Sequence, residues 1–277
     1  MTSDEMTSGI DTIHESYLAD RRIRWIWKFV ILLMTLTFVV WTVDVLNIPI
    51  ERVLRMFGPL ATMVTERLMP PDLYYVMEPH ILTSILETIE MSVLGVVGGL
   101  LIAMPMAWLG AWNVTPNRNF IYPMARTVIV VARAIPTLMW AILLVAIFGF
   151  GPFAGTLALL KSTIGFAGKL MAEQVEAIDM ERVDAIRATG ANEIQIFFYG
   201  ILPQVKPAWV GISLYSWDSG FRGSTILGFV GAGGMGLYLR AQISVMEYHT
   251  AMGLITVVIG LVILSEALSH HLRHRLY

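Results

Sequence analysis

Asp218 and Arg222 stand four residues apart in a stretch otherwise fit for hydrocarbon, so on a helix a carboxylate and a guanidinium share one face. Ionisable groups at membrane depth are costly and are functional suspects for that reason. Two readings stand side by side. In one the pair neutralises itself, with Asp218 as the structural partner. In the other Arg222, set between Gly220 and Gly223 where backbone can open, meets an oxyanion, which a guanidinium grips through two parallel hydrogen bonds. Arg126 and Arg133, seven apart, share another face. Arg126 reads as a boundary residue against lipid headgroups, while Arg133, just before Ala134-Ile135-Pro136, lies deeper and could face a pore. Arg222, Arg133 and Asp218 are thus the candidate lining of an anion passage. Lys161 and Lys169, eight apart, read as snorkelling or helix-pairing cations, Lys169 with Glu173.

Several chemistries are excluded. The chain has no Cys, which removes disulfides, thiolate metal sites and cysteine nucleophiles. It contains no Gly-x-x-x-x-Gly-Lys-Ser/Thr phosphate loop, no His-Glu-x-x-His and no Gly-x-Ser-x-Gly elbow, so no catalytic residue is assigned and no ATPase site of its own is expected. The run Gly231-Ala-Gly-Gly-Met-Gly236 lacks a preceding strand and a following acidic ribose ligand. It reads as close helix packing or an external loop rather than a dinucleotide fingerprint. His270, His271 and His274 read as a polar tail, so neither a metal nor another cofactor is expected, and nothing suggests a nucleic-acid partner.

A polar island interrupts the apolar sequence over residues 176–203. Asp179 is a plausible N-cap, Glu181 sits where the helix dipole favours an anion, and Gly190 supplies a left-handed stop, which together predict a helix of roughly 10 residues and ~15 Å. That is too short to span a bilayer. Asn192 can cap a second helix, which Pro203 limits or kinks. Ile178, Val183, Ala185 and Ile186 beside Arg182 and Arg187 suit docking in a partner's groove, or packing of a loop helix on its own membrane body.

The spacing Asp184-Ala185-Ile186, three residues, Gly190, nine residues, Gly200, one residue, Leu202-Pro203 resembles the EAA motif of bacterial ABC-importer permeases. That pattern is Glu-Ala-Ala, three residues, Gly, nine residues, Ile, one residue, Leu-Pro. Asp184 replaces Glu, Ile186 replaces the second Ala and Gly200 replaces Ile; Gly190, Leu202 and Pro203 match. Gly151-Pro-Phe-Ala-Gly155, Val175-Glu-Ala-Ile178, Ile186-Arg-Ala-Thr-Gly-Ala-Asn192, Tyr199-Gly-Ile-Leu-Pro-Gln204 and Val230-Gly-Ala-Gly-Gly-Met-Gly236 resemble the permease subunit of phosphonate importers. The likeness covers about residues 80–272. It implies a type I importer fold in the bacterial cytoplasmic membrane, with a second permease (a copy or a paralogue), cytoplasmic ATP-binding subunits and an extracytoplasmic solute-binding protein. The island would be the coupling helix, at about 179–190, with Asp184, Ala185, Arg187, Gly190, Leu202 and Pro203 as the ATPase-coupling residues. The implied cargo is phosphonate, or a related oxyanion such as phosphite or phosphate.

The elements that must position these residues follow from composition: 56% apolar, 14% charged residues and a mean hydropathy of +0.67 describe a polytopic membrane protein in contact with the lipid bilayer. Only all-α spans of about 20 residues satisfy backbone polar groups in hydrocarbon here. About six transmembrane helices are predicted, at 25–46, 83–112 (kinked at Pro105), 120–148, 153–171, 205–229 and 250–268. Residues 1–24 form an N-terminal tail without a cleavable leader, 25–79 the first span and an extracytoplasmic segment, 80–272 the transporter domain and 273–277 a second tail. Arg118 with Arg126, Arg182 with Arg187, Arg273 with Arg275 and the N-terminal cluster fall on one side, so both termini and the island are expected to be cytoplasmic. Gly95, Gly98 and Gly99 suit close packing, between subunits or within one. The competing class, an ion-coupled secondary transporter of a small anion, would need paired broken helices and a coupling-ion site; no segment has a convincing second copy.

Overall fold

The computed structural model describes residues 3–46, 51 and 55–276, and side chains at 24–46, 51 and 55–271. The side chains of Arg21, Arg22, Arg52, Arg273, His274 and Arg275 lie outside that set. All regular structure among the described residues is helical, and the chain divides into two units, residues 1–63 and 64–277.

The first unit contains α1 (Ser3–Val45) and α2 (Phe57–Thr62). Within α1, Arg24–Val45 is long and apolar enough to cross a membrane, with a mean hydropathy of 2.0. Its 22 residues span ~33 Å, close to the ~30 Å hydrocarbon core. Apolar side chains surround it on every side, from Trp25 to Trp41, as lipid contact requires.

The second unit begins with α3 (Leu73–Val76) and α4 (Pro79–Leu109), followed by α5 (Ile121–Ala134) and α6 (Thr137–Phe148). Then come α7 (Pro152–Glu176), the short α8 (Met180–Ala188) and α9 (Glu193–Ile196). A π turn (Phe197–Ile201) leads into α10 (Leu202–Gly228), then α11 (Met235–Ser244) and α12 (Tyr248–Leu276). The hub is α7, which packs on α4, α5, α6 and α10. Small residues make this possible: a Cβ on Gly95 would sit 2.6 Å from Leu159 Cβ, and one on Gly99 2.5 Å from Thr163 Cβ. The glycine series of α4 is therefore an internal contact.

The expected third span, 120–148, is two helices bent by 88°. Pro136 is the reason, because it cannot donate to a helical ladder and pushes the preceding residue out of helical geometry; Ile135 is extended at φ −107°, ψ 127°. Pro105, by contrast, lies inside α4 without ending it. Three described helices are long and apolar enough to cross a membrane, or four if the bent pair is one span. The predicted fourth and fifth spans correspond to α7 and α10, long continuous helices whose charges lower their hydropathy.

Candidate functional site

The island folds as its local chemistry requires. Asp179 accepts the Glu181 amide at 3.0 Å and caps α8, while Gly190 ends it at φ +83°, with its amide donating to the Arg187 carbonyl at 3.0 Å. Asn192 and Gln195 form a reciprocal capping box that opens α9. Pro203 does not stop the helix: α9, the π turn and α10 run on without a gap, and Pro203 sits just after the π turn.

One face of α8 is exposed and one is anchored. Asp184, Ala185, Arg187 and Gly190 are exposed, and Asp184 pairs with Arg187 at 2.7 Å. Val183 is fully buried in an apolar cluster that continues through Met171 and Val175 of α7, Ala103 and Ala107 of α4, Ile201, and Val205 and Trp209 of α10. Leu202 packs against that cluster, while Pro203 is exposed. Gly200 explains its departure from the family motif, since its missing side chain leaves room for Ile186 and Val183, 3.3 and 3.6 Å from where a Cβ would be. Val183 of α8 thus packs against the ends of three long helices.

Two amide side chains that sequence reasoning did not single out fasten α8. Gln204 accepts the Asp179 amide at 3.1 Å through Oε1, and its Nε2 donates to the carbonyls of Gly200 (2.8 Å) and Asp179 (3.3 Å). Asn113 donates to the Val175 carbonyl at 2.9 Å, at the end of α7, and to the Met180 sulfur at 3.5 Å, at the start of α8. Gln204 follows the Leu-Pro pair that the motif marks, yet no local pattern reveals a contact 25 residues back. Arg126 corrects an expectation: its guanidinium pairs with Glu176 at the end of α7, and the same carboxylate accepts the Trp112 amide at 3.2 Å. It is a fastener between helices rather than a headgroup contact.

Arg222 and Asp218 form an ion pair on α10, in which Asp218 is the more buried and keeps its Oδ1 without a hydrogen-bond partner. Arg133, exposed at the end of α5, lays its stem against α7, where a Cβ on Gly165 would lie 2.7 Å from its Cγ. The structure thus joins Arg222 to Asp218 but places Arg133 on a different element. Lys169 and Glu173 pair at 3.3 Å, as their spacing predicts. Lys161 does something spacing did not suggest, donating to the Ile135 carbonyl at 2.6 Å at the α5–α6 break, with its ammonium 5.2 Å from the Trp140 ring.

The glycine run after α10 is a tight, buried reversal. Gly231, Gly233 and Gly234 have positive φ, and Gly228 and Gly236 approach so closely that a Cβ on either would meet the other's backbone. The first amides of α11 are received by α4, Gly234 by Glu87 at 3.1 Å and Met235 by Thr88 at 2.9 Å. Close packing, one of the two readings of this run, is what it serves.

Residues 95–276 match the family model described as binding-protein-dependent transport system inner membrane component. The phosphite transport system permease protein PtxC of Stutzerimonas stutzeri is 34% identical over 214 residues, covering 77% of this chain and 76% of that protein. The phosphate-import permease protein PhnE of Mycolicibacterium smegmatis is 39% identical over 76% of this chain and 39% of its own length. A putative cryptic phosphonate transport system permease protein of Escherichia coli is 43% identical over 42% of this chain. Among solved structures, the inward-facing MetNI methionine ABC transporter superposes with a TM-score of 0.62 over 73% of this chain and all of that one, at 20% identity. An alginate ABC importer superposes at 0.55 over 88% of this chain and 96% of that one, at 15% identity. Both likenesses speak for the fold.

Proposed function

This chain belongs to the binding-protein-dependent inner-membrane-component family of transport systems, and from that premise we propose that it forms the translocation passage of an ATP-driven importer of a phosphorus oxyanion. The names of its relatives support phosphite, phosphonate or phosphate as cargo. In this reading the chain carries no ATPase site. Energy comes from cytoplasmic ATP-binding subunits, cargo from an extracytoplasmic solute-binding protein, and the passage is completed by a second permease, either a copy or a paralogue. Both termini and α8 lie on the cytoplasmic side.

The observation that carries the reading is the two-faced build of α8. Its exposed Asp184, Ala185, Arg187 and Gly190 form a grip for a soluble partner, while Val183 is rooted in the core that α4, α7 and α10 share. Arg222, with its pairing residue Asp218, and Arg133 are offered as the cations beside the passage. The bent α5–α6 pair is the one feature shared with secondary transporters, but among the described residues no second bent pair accompanies it.

The coupling role is tested by Gly190→Pro in the reconstituted complex. Proline cannot adopt φ +83° or donate to the Arg187 carbonyl, so the end of α8 must rearrange. Inserted protein with ATP hydrolysis no longer stimulated by loaded binding protein, and with uptake lost, is expected. Normal stimulation and uptake would remove α8 from the energy path.

A further inference from the structure

The second unit holds a cavity of about 230 Å³ between the start of α6, the middle of α7 and the C-terminal half of α10. Hydroxyls of Thr137, Ser162, Thr163, Ser216 and Ser219 line it, and Arg222, Asp218 and Arg133 do not. We propose that this cavity is the oxyanion contact point within the passage, and that it holds a phosphite, phosphonate or phosphate through neutral donors rather than through an arginine. The proposal rests on the importer reading above.

The hydroxyl roles can be separated by their partners. Thr163 and Ser216 spend their protons on the helical carbonyls of Leu159 and Ile212, at 2.9 and 2.8 Å, so they offer lone pairs only. Thr137 donates to Ser162 Oγ at 2.8 Å, which leaves the Ser162 proton to point elsewhere. Ser219, on an exposed position of α10, is the second donor. Thr137 is also the first residue of α6, with no side-chain cap, and only the Met139 and Trp140 amides return to the Pro136 carbonyl. The amides of Thr137 and Leu138 precede the first intrahelical bonds, and both residues line the cavity.

Lys161 is not part of the lining, but its ammonium is held at the Ile135 carbonyl, two residues before Thr137. The cation supports the site without forming a direct ion pair. A dehydrated oxyanion caught by a bidentate guanidinium in low dielectric would be slow to leave. Hydroxyls and amides replace part of its hydration shell and let it go, the compromise that any conducting site requires. A cavity of 230 Å³ holds several water volumes of ~30 Å³, room for a tetrahedral anion with a small substituent.

The test uses the complex of this chain with its ATPase and binding protein in vesicles, and measures uptake of phosphite, inorganic phosphate and methylphosphonate. T137V/S162A/S219A, which removes both free donors and the hydroxyl paired with one of them, should lower uptake about tenfold or more and change the ratio among the three anions, while the hydroxyl-retaining T137S/S162T/S219T restores both. Uptake equal to wild type in T137V/S162A/S219A would overturn the site and leave the importer reading intact, as would a loss that T137S/S162T/S219T does not repair. Unchanged uptake with reduced co-purified phospholipid would assign the cavity to a lipid headgroup instead. A wild-type complex that moves none of the three anions would overturn the cargo reading and this site with it.

Discussion

The side chain of Arg222 is 46% exposed, whereas that of Asp218, with which it pairs, is 16% exposed and has one carboxylate oxygen unpartnered. Removing only Arg222 therefore strands a mostly buried charge. Arg222→Ala should cost on the order of 1–3 kcal/mol, less than the ~3–5 of a fully buried pair because the guanidinium head is half in the open. D218A/R222A, which removes both charges, should recover the folded yield in detergent. Uptake should remain low in the double variant if the guanidinium meets the anion, and recovery of uptake along with yield would make the pair purely structural. The same scale explains Gly200: the family motif carries Ile at this point, but here the space is used by Ile186 and Val183.

Among the elements, the α5–α6 break depends on a group far away in sequence. Pro136 pushes Ile135 out of helical geometry, which leaves the Ile135 carbonyl without a helical donor, and Lys161 of α7 donates to it instead. Replacing Lys161 with Met keeps the stem and deletes the donor, leaving that carbonyl unsatisfied. A loss of about 1–3 kcal/mol is expected, seen as a lower midpoint in thermal unfolding of the detergent-solubilised protein. An unchanged midpoint would show that the bend is maintained by packing of α5 and α6 alone. Element α8 has the opposite character: its cap, its stop and its length follow from the few residues 179–190, and Gln204 ties its cap residue Asp179 to the start of α10.

For the molecule as a whole, the close seam between α4 and α7 is the most extensive helix contact in the second unit. With Gly95 and Gly99 meeting Leu159 and Thr163, there is no slack for a side chain. Gly99→Val puts branched carbon where only a hydrogen fits, which forces the two helices apart. Overpacking of this kind costs about 1–3 kcal/mol or more, so folded yield and thermal midpoint should both fall. Wild-type stability for Gly99→Val would mean that the seam yields, and with it the case for rigid transmission from α8.

The sequence alone was enough for the properties that arise within a few turns of chain. Apolar run lengths set the membrane-grade helices, Asp179, Gly190 and Asn192 set the caps of the island, and the Asp218–Arg222 spacing set their pairing. The family motif was legible for the same reason, since its residues are close in sequence. Contacts between distant segments were decided only in the tertiary structure. It turned one expected span into a bent pair, took Arg126 from the lipid boundary to Glu176, and gathered hydroxyls from α6, α7 and α10 around one cavity. Periodicity reports which face of a helix is apolar, but it does not say which helix that face will meet.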